Sequence, residues 1–245
     1  RAGAAAVLIS DRSTFGGSLR RPGVRVPVLS VGRDGAGLAG VRVRVRVRAE
    51  SGMRRSQNVI GEAGAADAPR VVMAGAHLDS VPKGPGLNDN GSGVAAVLEI
   101  AEQLGGRALP AGTALRFGFW GAEEIGLEGS TRYVRGLGAA ERRRIAAYVN
   151  LDMVGSPGGV AAVYSDDADI AAALRRRLGA DAPSINLFGS SDHTAFAEAR
   201  VPVGGVFTGL DDCYHQACDR IANVDRELAT RVARAAGGAV VDFVK

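Results

Sequence analysis

Hydrophobic and polar positions fall into two textures along this chain. Residues 1–48 read as β-rich, with apolar runs at Ala4–Ile9 and Val26–Val31. They are followed by a strict Val/Arg alternation over Val41–Arg48. A two-residue period predicts a half-buried strand, here with four Val inward and four Arg outward. Arginine on such a strand also discourages edge-to-edge aggregation; a basic ribbon for polyanions is the competing reading. From about Glu50 the texture changes. Short apolar runs at Val71–Ala76, Thr113–Trp120, Ala146–Asp152 and Val201–Phe207 predict buried strands. Between and after them, Gly91–Leu104, Leu127–Leu137, Ala168–Leu178 and Asp225–Val244 predict helices, the first with Val94, Val97, Leu98 and Ala101 at helical spacing. Strands alternating with helices predict an α/β fold: a three-layer α/β/α sandwich on a mixed, mostly parallel sheet. The change of texture predicts two domains, 1–49 and 50–245.

The 245 residues are 46% hydrophobic, enough for a sizeable core. No apolar run approaches the ~20 residues that span a bilayer, so no membrane partner is expected. The first residue is Arg1 and the first apparent strand follows at once, so a trimmed N-terminus is expected. The net charge is +4 and almost wholly arginine, with Lys83 and Lys245 the sole lysines. The basic residues are scattered among acids, and aromatics are 5%, so no nucleic-acid partner is expected. Cys213 and Cys218 suit either a small disulfide in an oxidising compartment or two reduced thiols, and spacing alone leaves both open.

Chemistry gathers where the strands end. His77-Leu78-Asp79-Ser80 follows the first buried strand, and Asn88-Asp89-Asn90-Gly91-Ser92-Gly93 opens the helix after it. Gly121-Ala122-Glu123-Glu124, Asn150-Leu151-Asp152-Met153 and Cys213-Tyr214-His215-Gln216-Ala217-Cys218 come later in the chain. In a parallel sheet these ends share one edge, where α/β folds bind ligands. Histidine nitrogen with carboxylate oxygen is the ligand mix of catalytic zinc. A Glu-Glu pair offers one carboxylate for metal and one free base.

The ordered motifs His-x-Asp-Ser, Asn-Asp-Asn-Gly-Ser-Gly, Gly-Ala-Glu-Glu-x-Gly-Leu-x-Gly-Ser, Asn-Leu-Asp-Met-x-Gly-Ser, Ser-Asp-His and Cys-Tyr-His-x-x-Cys-Asp resemble the M28 family of zinc aminopeptidases over residues ~55–245. Residues 1–48 resemble, less strongly, part of a protease-associated (PA) domain. The resemblance implies a secreted, monomeric zinc-dependent aminopeptidase acting on the N-termini of peptides or proteins. It implies two Zn2+ per chain: His77 and Asp152 on one, His215 and Glu124 on the other, and Asp89 shared. Glu123 would be the general base and Tyr214 the donor to the oxyanion. Glu123 and Asp152 would also bind the substrate's free amine. Phe188, Phe196 and Phe207 are candidates for the wall of an apolar pocket. A Cys213–Cys218 disulfide would hold the Tyr214-His215 pair in place. Asp79 reads either as a partner for the second ring nitrogen of His77 or as a turn cap. Asp192 and His193 read either as residues near the substrate, where the resemblance places Ser-Asp-His, or as a helix cap and a structural histidine.

The chain departs from the family pattern at Ser190, where several relatives carry Arg. It also departs in a shortened stretch between Gly209 and Cys213 and another between Met153 and Ser190. These changes bear on substrate preference more than on metal. Other hydrolases of the same superfamily, carboxypeptidase or acyl-amino-acid hydrolase, and a non-catalytic binding module are the alternatives. A module would be expected to have lost ligands that this chain keeps.

Overall fold

The computed structural model describes residues 3–10, 26–31, 33–47 and 55–245, and the chain divides into two compact units, Arg1–Arg55 and Ser56–Lys245. In the first unit β1 (Val7–Ser10) and β2 (Val28–Val31) pair in parallel. The expected strand at Val41–Arg48 does not form over its described residues, 41–47, and Arg48 lies outside them. Val41, Val43, Val45 and Val47 are all exposed, at 39–56% of their surface. Alternation separates two faces of a chain, but a strand also needs a ladder partner, and among the described residues this segment has none.

The second unit is built on a seven-stranded sheet of order β3-β5-β4-β6-β9-β7-β8. Its strands are β3 (Val59–Gly64), β4 (Arg70–His77), β5 (Thr113–Trp120), β6 (Ile145–Leu151), β7 (Ala162–Tyr164), β8 (Ser184–Ile185) and β9 (Val203–Phe207). The central strands β5, β4, β6 and β9 run parallel, while β3 and β7 pair antiparallel to β5 and β9. β4 is buried from Val71 through His77, as a strand covered on both faces must be.

One face carries α1 (Gly91–Gly105), α4 (Ala168–Leu178) and α6 (Arg226–Val244), whose Val97, Ile100, Leu174, Val232 and Val240 join Val72, Val149 and Val206 of the sheet in the larger core. The other carries α2 (Glu128–Gly136) and α5 (His193–Glu198), with α3 (Ala139–Arg144) leading into β6. Its core is aromatic: Phe196 stacks on Tyr148 at 3.9 Å and meets Trp120 at 5.7 Å. The result is the expected three-layer sandwich with a mixed, mostly parallel sheet. α1 starts on Asn90, whose side chain accepts the Gly93 amide, and α6 on Asp225, whose carboxylate accepts the Leu228 amide.

Five strands and α-helices of the second unit were not expected from the sequence: β3, β7, β8, α3 and α5. β3, β7 and β8 are edge or near-edge strands of two to six residues without a long apolar run. The helices α3 and α5, six residues each, are too short to show a helical period.

Candidate metal centre

Parallel pairing puts the C-terminal ends of β4, β5, β6 and β9 on one edge of the sheet, and β4 delivers His77 there, opposite Trp120 of β5. The loop after β4 supplies Asp89, the turn after β5 supplies Glu123 and Glu124, and the residue after β6 is Asp152. The loop after β9 brings Tyr214 and His215.

Asp89 sits between the two histidines. Its Oδ1 lies 3.3 Å from His77 Nε2, and its Oδ2 lies 3.1 Å from His215 Nε2. Asp152 Oδ1 is 3.4 Å from His77 Nε2, and Glu124 Oε2 is 3.0 Å from His215 Nε2. Glu123 joins the first group: ligand atoms of His77, Glu123 and Asp152 all lie within 4.8 Å of one another, as do those of His77, Asp89 and Glu124. His77, Asp89, Glu123 and Asp152 are buried and His215 is half-buried.

Four acids and two histidines in so little water perturb one another. Burial raises Glu123 to about 9; His77 opposes this, and Asp152, Asp192 and Glu124 add to it. Burial raises Glu124 to about 8, with Asp89 pushing the same way. Burial works to raise Asp152 too, yet the neighbouring His77 holds it below the usual carboxylate range. Burial disfavours the His77 cation, but Asp152 and Asp89 outweigh it and raise its pKa well above normal. Glu124 Oε1 is buried with no hydrogen-bond partner among the described residues. Two imidazole nitrogens, crowded carboxylates that resist ionising together and an orphaned buried oxygen are the donor set a divalent cation of zinc's type satisfies.

The backbone is bent to bring these groups in. Among non-glycine residues, Ala122 before Glu123, Met153 after Asp152 and His215 itself adopt left-handed conformations with φ of 61°, 47° and 58°. Such conformations cost energy and cluster at functional sites. Asp79 takes a role the sequence did not show. Its backbone carbonyl, 3.0 Å from His77 Nδ1, is the nearer partner of that ring, and its carboxylate oxygen lies 3.8 Å away. The carboxylate instead accepts the backbone amides of Glu123 at 2.9 Å and Glu124 at 3.2 Å.

Three further residues, Ser191, Asn150 and Tyr148, went unrecognised in the sequence. Ser191 Oγ donates to Asp152 Oδ2 at 2.6 Å and accepts from Asn150 Nδ2 at 2.9 Å. Tyr148 donates to Asn150 Oδ1 at 2.7 Å. Asn150 lies in the quoted Asn-Leu-Asp-Met motif and Ser191 opens Ser-Asp-His, so position was the one available signal. Asp192 stands at the N-cap position of α5, but its buried side chain makes no capping hydrogen bond. Burial raises its carboxyl to about 7. His193 is buried against Tyr164 at 4.6 Å.

Tyr214 stacks on the His215 ring at 3.8 Å, and burial together with Asp89 and Glu124 raises its pKa. Cys213 and Cys218 form a disulfide that closes the segment carrying both. Of the three phenylalanines, Phe188 is 54% exposed, and Phe207 is buried with Met153 and Tyr164 at the end of β9. Phe196 is fully enclosed in the Trp120–Tyr148 aromatic cluster, which removes it as a pocket wall.

A sequence profile of Peptidase family M28 matches residues 58–240. The chain is 42% identical over 192 residues to leupeptin-inactivating enzyme 1 of Streptomyces exfoliatus, covering 69% of this chain and 44% of that protein. It is 36% identical over 271 residues to the probable lipoprotein aminopeptidase LpqL of Mycobacterium tuberculosis, covering 91% and 54%. Among solved structures it is similar to the aminopeptidase from Aneurinibacillus sp. strain AM-1, at 32% identity and TM-score 0.82, covering 98% of this chain and 63% of that one. The chain thus spans about half the length of these curated relatives. With the profile covering most of its residues and the motifs assembled at one sheet edge, the chain belongs to peptidase family M28.

Proposed function

We propose that the protein is a zinc aminopeptidase that holds two Zn2+ per chain and releases the N-terminal residue of peptides. The observation that carries this reading is Asp89, with one carboxylate oxygen facing each histidine. His77 and Asp152 would hold one ion, His215 and Glu124 the other, and Asp89 both. Bound zinc supplies Lewis acidity, polarising the scissile carbonyl and acidifying water.

The protein's own groups do the rest. Glu123 stands beside His77 and Asp152 without being needed as a ligand; the positive charge of bound metal would favour its ionised form, and that carboxylate would take the proton of the attacking water and pass it to the leaving amine. Tyr214 donates a hydrogen bond to the oxyanion; the stack on His215 holds its ring, and its raised pKa keeps the phenol protonated. Glu123 and Asp152 are the carboxylates available to the substrate's free amine. Phe188 and Phe207 are the remaining candidates for the apolar pocket. The disulfide supports secretion into an oxidising compartment, where the chain would act as a monomer. No helix of the described residues is long and apolar enough to cross a membrane. We read the Arg1–Arg55 unit as part of a PA domain.

The test is zinc content per chain together with hydrolysis of leucine p-nitroanilide, before and after chelation. Two zinc per chain, with activity lost on chelation and restored by zinc, is the expected result. One zinc or none, with no turnover, would refute the reading.

A further inference from the structure

His215 is followed four residues later by Asp219, which is 2% exposed, although the segment around it is largely open to solvent. Its carboxylate does not point at the cluster of ligands. Oδ1 accepts the backbone amide of Asn88 at 2.8 Å, and Oδ2 accepts the backbone amide of Asp89 at 3.0 Å. Both oxygens of one buried acid are thus spent on two consecutive amides about 130 residues away in sequence. Asn223 Nδ2 adds a longer contact to Oδ1 at 3.5 Å.

The same device occurs once more in the site. Asp79, two residues past His77, accepts the consecutive amides of Glu123 and Glu124. Each histidine is therefore accompanied by an acid that grips the backbone of a carboxylate-bearing loop. Around Asp219 the grip is reinforced. Asn88 Nδ2 donates to Asp211 Oδ2 at 2.8 Å, and Asp211 Oδ1 accepts the Cys213 amide at 2.7 Å. The Asn88–Asp89 turn and the disulfide-closed segment that bears His215 are tied at both ends. Charge-assisted bonds from backbone N–H to carboxylate are about twice as strong as neutral ones.

We propose that Asp219 is a positioning residue of the metal centre: by gripping the Asn88 and Asp89 amides, it fixes the Asp89 carboxylate between His77 and His215 before metal arrives. This rests on the reading of Asp89 as the shared ligand. Asp219 touches no reacting atom and acts through Asp89. Groups that orient ligands from behind typically contribute 10–100-fold in metal affinity.

The test is zinc affinity of the Asp219→Asn protein, measured by competition with a chromophoric chelator, beside the melting temperature of the metal-free form. Asparagine keeps one acceptor and turns an N–H2 toward the other amide. Zinc affinity should fall 10–100-fold. Unchanged affinity, with or without a lower melting temperature, would overturn the proposal and leave Asp219 a purely structural acid. Amide exchange in the unsubstituted protein is independent of how the variant folds. The Asn88 and Asp89 amides should be protected equally with and without zinc; protection that appears with zinc alone would mean that the grip follows binding, and would overturn the proposal. Asp89→Asn separates the two levels of argument. Loss of zinc in that variant supports the shared-ligand reading whatever Asp219 does, and unchanged affinity there would remove that reading and this inference together.

Discussion

Glu123→Gln separates the chemistry of the centre from its energetics, because the two respond in opposite directions. Glutamine is isosteric with the protonated acid and keeps the backbone amide that Asp79 accepts. It cannot take a proton. General acid–base catalysis typically contributes 10²–10⁴-fold, so turnover should fall about 10³-fold, or ~4 kcal/mol in the barrier, with both metals retained. The metal-free protein should become more stable. Burial holds the folded Glu123 pKa at about 9 against an ordinary 4.5. Above 4.5 the unfolded chain releases this proton while the folded one keeps it, so the acid costs stability that grows with pH until about 9. At pH 7 that cost is about 3 kcal/mol by the usual conversion of pKa differences; at pH 5 it shrinks to about 1 kcal/mol or less. Glutamine removes it. Denaturant unfolding of the metal-free proteins at pH 7 and pH 5, beside kcat with leucine p-nitroanilide and zinc content, reads all three quantities. Normal turnover would refute Glu123 as base. A metal-free variant no more stable than its parent at pH 7 would refute the account of a crowded, desolvated acid.

Three other changes test separate parts of the structure. Phe196→Ala should cost about 3–5 kcal/mol, as for a large aromatic removed from a packed core, and leave KM for leucyl substrates unchanged; a selective rise in KM with intact stability would return Phe196 to the substrate pocket. Asp242 is held at about 2 by hydrogen bonds from Arg177 and Arg176. Its contribution is present above the ordinary 3.8 and lost as pH falls through about 2. After discounting for solvent, Asp242→Asn should cost about 1 kcal/mol at pH 7, and thermal melts that still differ below pH 2 would count against this assignment. Reducing Cys213–Cys218 should lower both activity and zinc affinity by freeing the segment that carries Tyr214 and His215, and two free thiols by mass in the native protein would count against the disulfide.

The sheet and the gathering of polar groups at its edge were legible in the sequence for one physical reason, whereas the assignment of metal ligands among those groups came from the resemblance to M28. A buried parallel strand needs a short unbroken apolar run, and where the run stops the chain emerges at a shared edge, so Val71–Ala76 followed by His77 states both a strand and a site. Elements that lean on partners left weaker marks. The Val/Arg alternation from Val41 records two faces but cannot record whether a neighbouring strand exists, and in the described residues its valines stay exposed. Phe196 and Phe207 look alike in sequence, yet one closes a core on Trp120 while the other ends β9 beside Met153.

The acids show the same limit most sharply. Glu123, Glu124, Asp89 and Asp152 act through side chains aimed at a common point, and convergent side chains leave a motif that can be read. Asp79 and Asp219 act by accepting amides, and every residue except proline offers an amide. Nothing in the residues they grip has to change for that contact to exist, so the sequence records the acid but not its partner. In this centre the partners turn out to be the carriers of Glu123, Glu124 and Asp89. The acids that stand outside the cluster of candidate ligands are therefore the ones that join its separate loops into one site, and substitutions at Asp79 and Asp219 should weaken zinc binding without removing any of the candidate ligands.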